Sequence, residues 1–208
     1  MILKSYEIEK KLPNLSKHNL ILLYGENVGL KKEIRDKIKV EINKKDADAE
    51  FLSLYENEIL DDEEAFYNSI YSGSLFSNKK IITINNGTDK VAKYIEDIYL
   101  KFPENLILII FSNILERKSN LRAFFEKNDT ALCIPCYLDA SRDLEIILSN
   151  ELRKNKITTS RESMNLVIEK SNNDRDNLKN EIEKIKAYSL NKKKLEIDEI
   201  KSIINFSG

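Results

Sequence analysis

Leu106 to Phe111 reads LILIIF, six apolar residues in a row with no polar side chain among them. Successive side chains of a strand point to opposite faces, so such a run is at ease only where both faces are covered. That is the setting of a central strand in a parallel sheet, whose crossover helices lie on both sides. The chain up to about residue 138 fits this frame. Strand-like runs at Leu20 to Tyr24, Phe51 to Leu54, Lys80 to Asn85 and Ala131 to Pro135 alternate with helical patterns. Leu30, Ile34, Ile38 and Ile42 recur every fourth residue, the stripe of a helix with one buried face. A second helix is expected from about Asp62 to Tyr71, with Asp61 or Asp62 as its cap and acidic residues in its first turn. Asn86-Gly87 marks a turn. Thr88 then caps a helix that buries Val91, Ile95, Ile98, Tyr99 and Phe102, and a basic helix covers about Lys118 to Glu126. The alternation predicts an α/β fold with a five-stranded, mainly parallel sheet wrapped by helices. Its binding edge is expected at the C-terminal ends of the strands.

After Tyr137 no strand-like run remains. Leu144, Ile147, Leu148 and Leu152 mark one helix. Ser160 caps a second with Met164, Val167 and Ile168, and Asp174 starts a third with Leu178, Ile182 and Ile185. Ile197, Ile200, Ile203 and Ile204 mark a fourth. The expected domains are 1–138 and 139–208. The 208 residues carry 34 Lys and Arg against 35 Asp and Glu. This balance lacks the basic excess of a domain built mainly to hold bare nucleic acid. No apolar run approaches the ~20 residues of a membrane helix, and MILKSYEIEKK lacks the pattern of a secretory signal. Two cysteines make no disulfide framework. A cytoplasmic protein is expected.

Gly25-Glu-Asn-Val-Gly29-Leu30-Lys31-Lys32 sits where a phosphate loop would sit, between the first strand and the first helix. A working loop reads GxxxxGK[ST], with glycines for close phosphate approach and a Ser or Thr on Mg²⁺. Gly25 and Lys31 occupy matching positions. Leu30 replaces the second glycine and Lys32 the magnesium ligand. Ser112 and Asn113 follow the apolar strand where an acidic magnesium ligand is expected. Two parts of an ATPase site are therefore absent together, and the loop is expected to bind no nucleotide. Cys133-Ile-Pro-Cys136 ends a strand and has no further zinc ligands nearby, since His18 is distant and expected at the surface. Buried thiols are the expectation. Glu181, Glu183, Lys184 and Lys186 read as a solvated helix face, and Lys192 to Lys194 is too short a basic run for a nucleic-acid site. Leu75 and Phe76 stand in a small, polar stretch between a helix and a strand. They are either core anchors or a displayed contact.

Four segments in order carry a family resemblance: LLYGENVGLKKE, SGSLFSNKKIITINN, LILIIFSNILERKSNLRAFFEK and NDRDNLKNEIEKIKAYS. Together they resemble the delta subunit of the bacterial DNA polymerase III clamp loader. The resemblance implies a degenerate AAA+ module, an α/β domain without a working nucleotide site followed by a helical lid. It implies a role in DNA replication within the polymerase III holoenzyme, a nucleotidyltransferase complex, with no catalytic residue, metal or cofactor in this chain. The implied partner is the β sliding clamp, bound through Ser74, Leu75 and Phe76, whose ring is opened for loading onto primed DNA. The loader's motor subunits and its delta-prime partner carry a four-cysteine zinc motif and a Ser-Arg-Cys finger, which this sequence lacks. The family also has a helical collar domain that joins the other loader subunits. The sequence stops before it, so clamp contact rather than loader assembly is expected of this chain. The competing reading is a divergent P-loop ATPase motor in replication or helicase loading.

Overall fold

The computed structural model describes residues 18–44, 49–73 and 79–205. Strand β4 (Leu106–Ser112) lies third in a five-stranded, all-parallel sheet. The order is β2 (Glu50–Tyr55), β3 (Lys80–Asn85), β4, β1 (Leu20–Tyr24), β5 (Ala131–Pro135). Leu106, Leu108 and Ile110 join one core with Leu20, Leu22, Val91, Ile95, Leu121 and Phe125. Ile107 and Ile109 join the other with Ile21, Leu23, Ile34 and Ile38. This alternation is why the run contains no polar residue: every side chain has a cover.

Helix α1 (Val28–Asn43) lays Leu30, Ile34, Ile38 and Ile42 into the second core. Each such isoleucine contributes about 1.5–3 kcal/mol by burial. On the other face lie α3 (Glu63–Tyr71), α4 (Ala92–Leu100) and α5 (Asn120–Lys127), which contribute Phe66, Ile95 and Phe125. Edge strand β2 is covered on one side only, so Leu52 and Leu54 pack inward while Phe51 and Tyr55 stay exposed.

Three local features differ from the sequence expectation. A short helix, α2 (Glu56–Asp61), precedes the helix that Asp62 caps through Ala65 N–H, and the Glu58 carboxylate accepts Tyr55 N–H. Thr88 caps a single 3₁₀ turn, Asp89–Val91, before α4 begins. Glu181 is buried rather than solvated and pairs with Lys184 at 2.8 Å. It lies one turn from Leu178 and beside Ile182, so its stem shares the core-facing side of its helix.

The chain divides into two compact units between Tyr137 and Leu138. Among the described residues the second holds four helices: α6 (Ser141–Lys154), α7 (Arg161–Lys170), α8 (Arg175–Tyr188) and α9 (Ile197–Asn205). They close around Leu144, Leu148, Val167, Leu178, Ile182 and Ile200. Ser160 and Asp174 cap α7 and α8 by accepting N–H bonds from Ser163 and Asn177. No helix among the described residues is long and apolar enough to cross a membrane.

Asp139 and Arg175 form a two-pronged ion pair within the second unit, Nε to Oδ2 at 3.0 Å and Nη2 to Oδ1 at 2.5 Å. Their side chains are only 5% and 12% exposed. Removing one member of a buried pair leaves the burial of the other less well compensated. Asp139→Ala should therefore destabilise this unit by about 3 kcal/mol, read as an earlier transition in thermal melting by circular dichroism.

Candidate functional site

The connection from β1 to α1 is a phosphate loop in position and a closed turn in structure. Gly25 N–H donates to the Asn113 carbonyl at 3.0 Å, and Asn27 N–H donates to the Cys136 carbonyl at 3.0 Å. The Asn27 amide donates to the Tyr137 carbonyl at 3.0 Å, and its oxygen accepts Leu30 N–H at 3.0 Å. Asn27 is thus a helix cap, and α1 starts at Val28, two residues before the position where a working loop has its second glycine. Lys31 N–H is also taken, by the Asn27 carbonyl at 3.1 Å. Of the N–H groups that would greet a phosphate, those of Gly25, Asn27, Leu30 and Lys31 are engaged inside the turn.

Lys31 is buried, with 5% of its surface exposed. Its ammonium donates to the Gly25 carbonyl at 2.7 Å and the Ser112 carbonyl at 2.8 Å. Burial holds its pKa below the ordinary lysine value. Gly25 has φ +125°, and a Cβ there would stand 2.2 Å from the Cys136 carbonyl oxygen. The glycine is therefore fixed by backbone geometry and by the close passage of β5's end. Gly29 lies buried in the first turn of α1.

A cleft of about 220 Å³ opens beside the loop. It is lined by Lys31, Lys32, Arg35, Asn85, Asn86 and Asn113, among others, and by no Asp or Glu among the described residues. The sequence singled out only the end of β4. The sheet brings the end of β3 to the same cleft, and Asn85 and Asn86 stand there. Two strand ends thus face the loop without a carboxylate, and three basic residues line the cleft where a divalent cation needs oxygen ligands. Glu56, the buried acid of this region, accepts Thr88 N–H at 2.6 Å and Thr88 Oγ1 at 2.8 Å. No group of three metal-ligating side chains occurs among the described residues.

Tyr24, at the end of β1, meets Arg122, which the sequence offered only within the segment LILIIFSNILERKSNLRAFFEK, and Tyr137, which it offered only as the end of the strand-bearing part. The Arg122 guanidinium lies 5.0 Å from the Tyr24 ring centroid, and the two tyrosine hydroxyls are 3.4 Å apart. Burial, then the bond to Tyr137, push the Tyr24 phenol upward. Arg122 also donates to the Leu115 carbonyl at 3.1 Å. The segment KSNLR now has a physical reading: Ser119 caps α5, Leu121 enters the core and Arg122 braces the strand ends.

Cys133 and Cys136 are both buried and pack into opposite cores. Burial pushes the Cys133 thiol up to about 12, the reverse of a reactive cysteine. His18 is half-buried rather than fully at the surface, and its Nδ1 lies 3.0 Å from the Thr130 carbonyl. Ser74, Leu75 and Phe76 lie outside the described residues.

The sequence profile described as "DNA polymerase III, delta subunit" matches residues 21–136. The chain belongs to this family. Among solved structures, it is similar to the Bacillus subtilis DNA clamp loader delta protein (YqeN), with a TM-score of 0.66 at 14% identity. That match covers 98% of this chain and 63% of YqeN, so the chain spans less than two-thirds of that protein's length. The Thermotoga maritima RuvB Holliday junction branch migration motor matches with a TM-score of 0.56 at 12% identity, over 96% of this chain and 68% of its own. Domain III of the Thermotoga maritima replication initiation protein DnaA gives 0.55 at 13%, over 97% and 91%. At these identities the likeness is one of fold, and the fold of this delta-family chain is AAA+-like. No curated protein matches it.

Gly25→Ala tests the loop. It adds a Cβ into a backbone carbonyl at a positive φ, so it should lower stability by roughly 3 kcal/mol or more. Urea unfolding of the variant should show a lower midpoint, with nucleotide absent throughout.

Proposed function

We propose that this chain is the clamp-engaging part of a clamp-loader delta subunit and works without nucleotide chemistry of its own. The family match over residues 21–136 carries this reading, because that span includes both the closed loop and Ser74-Leu75-Phe76. In this reading Leu75 and Phe76 enter an apolar pocket of the β sliding clamp and Ser74 flanks them. Gly25, Gly29, Leu30, Lys31 and Lys32 form a degenerate, non-functional phosphate loop. Residues 1–138 supply the clamp contact and 139–208 the helical lid. The other loader subunits and primed DNA are reached through the assembled loader, in the cytoplasm. The work is mechanical: the chain must bind the opened ring better than the closed one, since equal affinity would shift nothing.

The motor reading draws on one observation, the fold shared with the RuvB branch migration motor. The engaged Lys31 ammonium and the absence of a carboxylate from the cleft weigh against it. Calorimetric titration with ATP and Mg²⁺ separates the two. No binding is expected up to millimolar nucleotide, and a micromolar site would favour the motor.

Leu75→Ala with Phe76→Ala tests the clamp contact. Two apolar anchors at the centre of an interface contribute about 2 kcal/mol or more each. The double variant should therefore hold the host's sliding clamp roughly a hundredfold more weakly or worse, as read by surface plasmon resonance. The flanking Ser72, Gly73, Ser77 and Asn78 suit a displayed segment rather than a core, so its melting temperature should stay near that of the parent. Unchanged affinity, or a collapse in melting temperature, would sink the assignment.

A further inference from the structure

Two lysines are buried among the described residues, Lys31 and Lys80. The first pins the closed loop. Lys80 is 3% exposed, opens β3, and has no part in that loop. Its ammonium donates to the Ser69 carbonyl at 2.7 Å, the Ser72 carbonyl at 2.5 Å and Ser72 Oγ at 3.2 Å. These oxygens belong to the last turn and the C-cap of α3. Helix-end carbonyls at a surface can be satisfied by water, and Ser72 is exposed. Burying an ammonium to reach them carries a desolvation cost that a solvated helix end avoids. The geometry points to what that cost secures. Ser72 ends the stretch before residues 73–79, and Lys80 is the first residue after it. The return point is fixed independently: Lys80 N–H donates to the Asn105 carbonyl at 2.9 Å, and the Lys79 carbonyl accepts Glu50 N–H at 3.0 Å. One side chain therefore ties the departure of the 73–79 connection to its re-entry into the sheet.

We infer that Lys80 is a positioning residue for clamp binding, holding together the two ends of the connection that carries Leu75 and Phe76. The inference rests on the reading that those two residues contact the clamp. Fixing the ends of a short connection removes conformations it would otherwise have to give up on binding, and such preorganisation appears as affinity. In this inference Lys80 acts through the connection, by its bonds to the Ser69 and Ser72 oxygens.

The test is a double-variant cycle on the full chain with the host's sliding clamp. Lys80→Met keeps the apolar stem and removes the ammonium. It should weaken clamp binding roughly tenfold, and Lys80→Arg, which keeps a cation with several donors, should recover most of that loss. In a chain already carrying Leu75→Ala, Lys80→Met should cost no more than about threefold, because effects that share one element are not additive. A merely structural lysine would give the same factor in both backgrounds, and that result overturns the inference. So does unchanged binding in Lys80→Met while Leu75→Ala weakens it, an outcome that leaves the clamp-contact reading standing. Unchanged binding in Leu75→Ala with Phe76→Ala instead sinks the reading and the inference together. If Lys80→Met does not fold, Ser72→Ala enters the same cycle. It removes one of the three acceptors and should weaken binding about threefold.

Discussion

An ammonium removed from water must be met by oxygen, and in this fold Lys31 is met by two main-chain carbonyls from different strand ends. Gly25 follows β1 and Ser112 closes β4, and the two strands are neighbours in the sheet. The bond pair draws the loop onto the sheet edge and leaves the helix start beside it. Hydrogen bonds from a charged donor contribute about 1.5–3 kcal/mol each. A phosphate entering this loop would have to replace both before gaining anything. The lysine that in a working loop is kept for the ligand is here part of the frame.

The neighbouring residues fit that change of use. With Lys31 turned inward, the helix start still needs its free N–H groups covered, and the Asn27 side chain does so while its amide reaches the Tyr137 carbonyl. The segment after β5 thereby becomes the lid of the loop. Gly25 must stay a glycine because the Cys136 carbonyl passes too close for a Cβ. Packing alone is therefore enough to require a glycine at this position. A glycine and a lysine at the right spacing can survive in a loop for reasons unrelated to nucleotide.

What could be read in the sequence was what burial alone decides. The run Leu106 to Phe111, the fourfold spacing of α1 and the helices after Tyr137 each follow from which faces are covered. Helix α2 was hidden because six residues are too few to show a period. Glu181 was misread because a carboxylate beside Ile182 looks solvated until Lys184 is seen to reach it. The Lys31 pin joins residues 81 positions apart, and the cleft gains Asn85 and Asn86 only because β3 and β4 are adjacent. Neither adjacency leaves a local mark. Ser119 and Leu121 could be read as a motif, yet their roles as cap and core anchor needed the positions of Asp89 and Phe125.

The sheet also separates the loop after β1 from the connection that leads into β3. All five strands are parallel, so the loop after β1 and the cleft beside it lie at the strands' C-terminal edge. The 73–79 connection enters β3 at its first residue, next to Asn105 at the start of β4, and so joins the opposite edge. In an α/β sheet small ligands gather at the C-terminal edge. Here that edge is closed by the Lys31 ammonium and the Asn27 cap. The sheet between the two edges is filled on both faces and resists deformation. A chain that works without nucleotide must act with the free energy of contact alone, and the direction of its effect is set by which form of its partner fits that contact better.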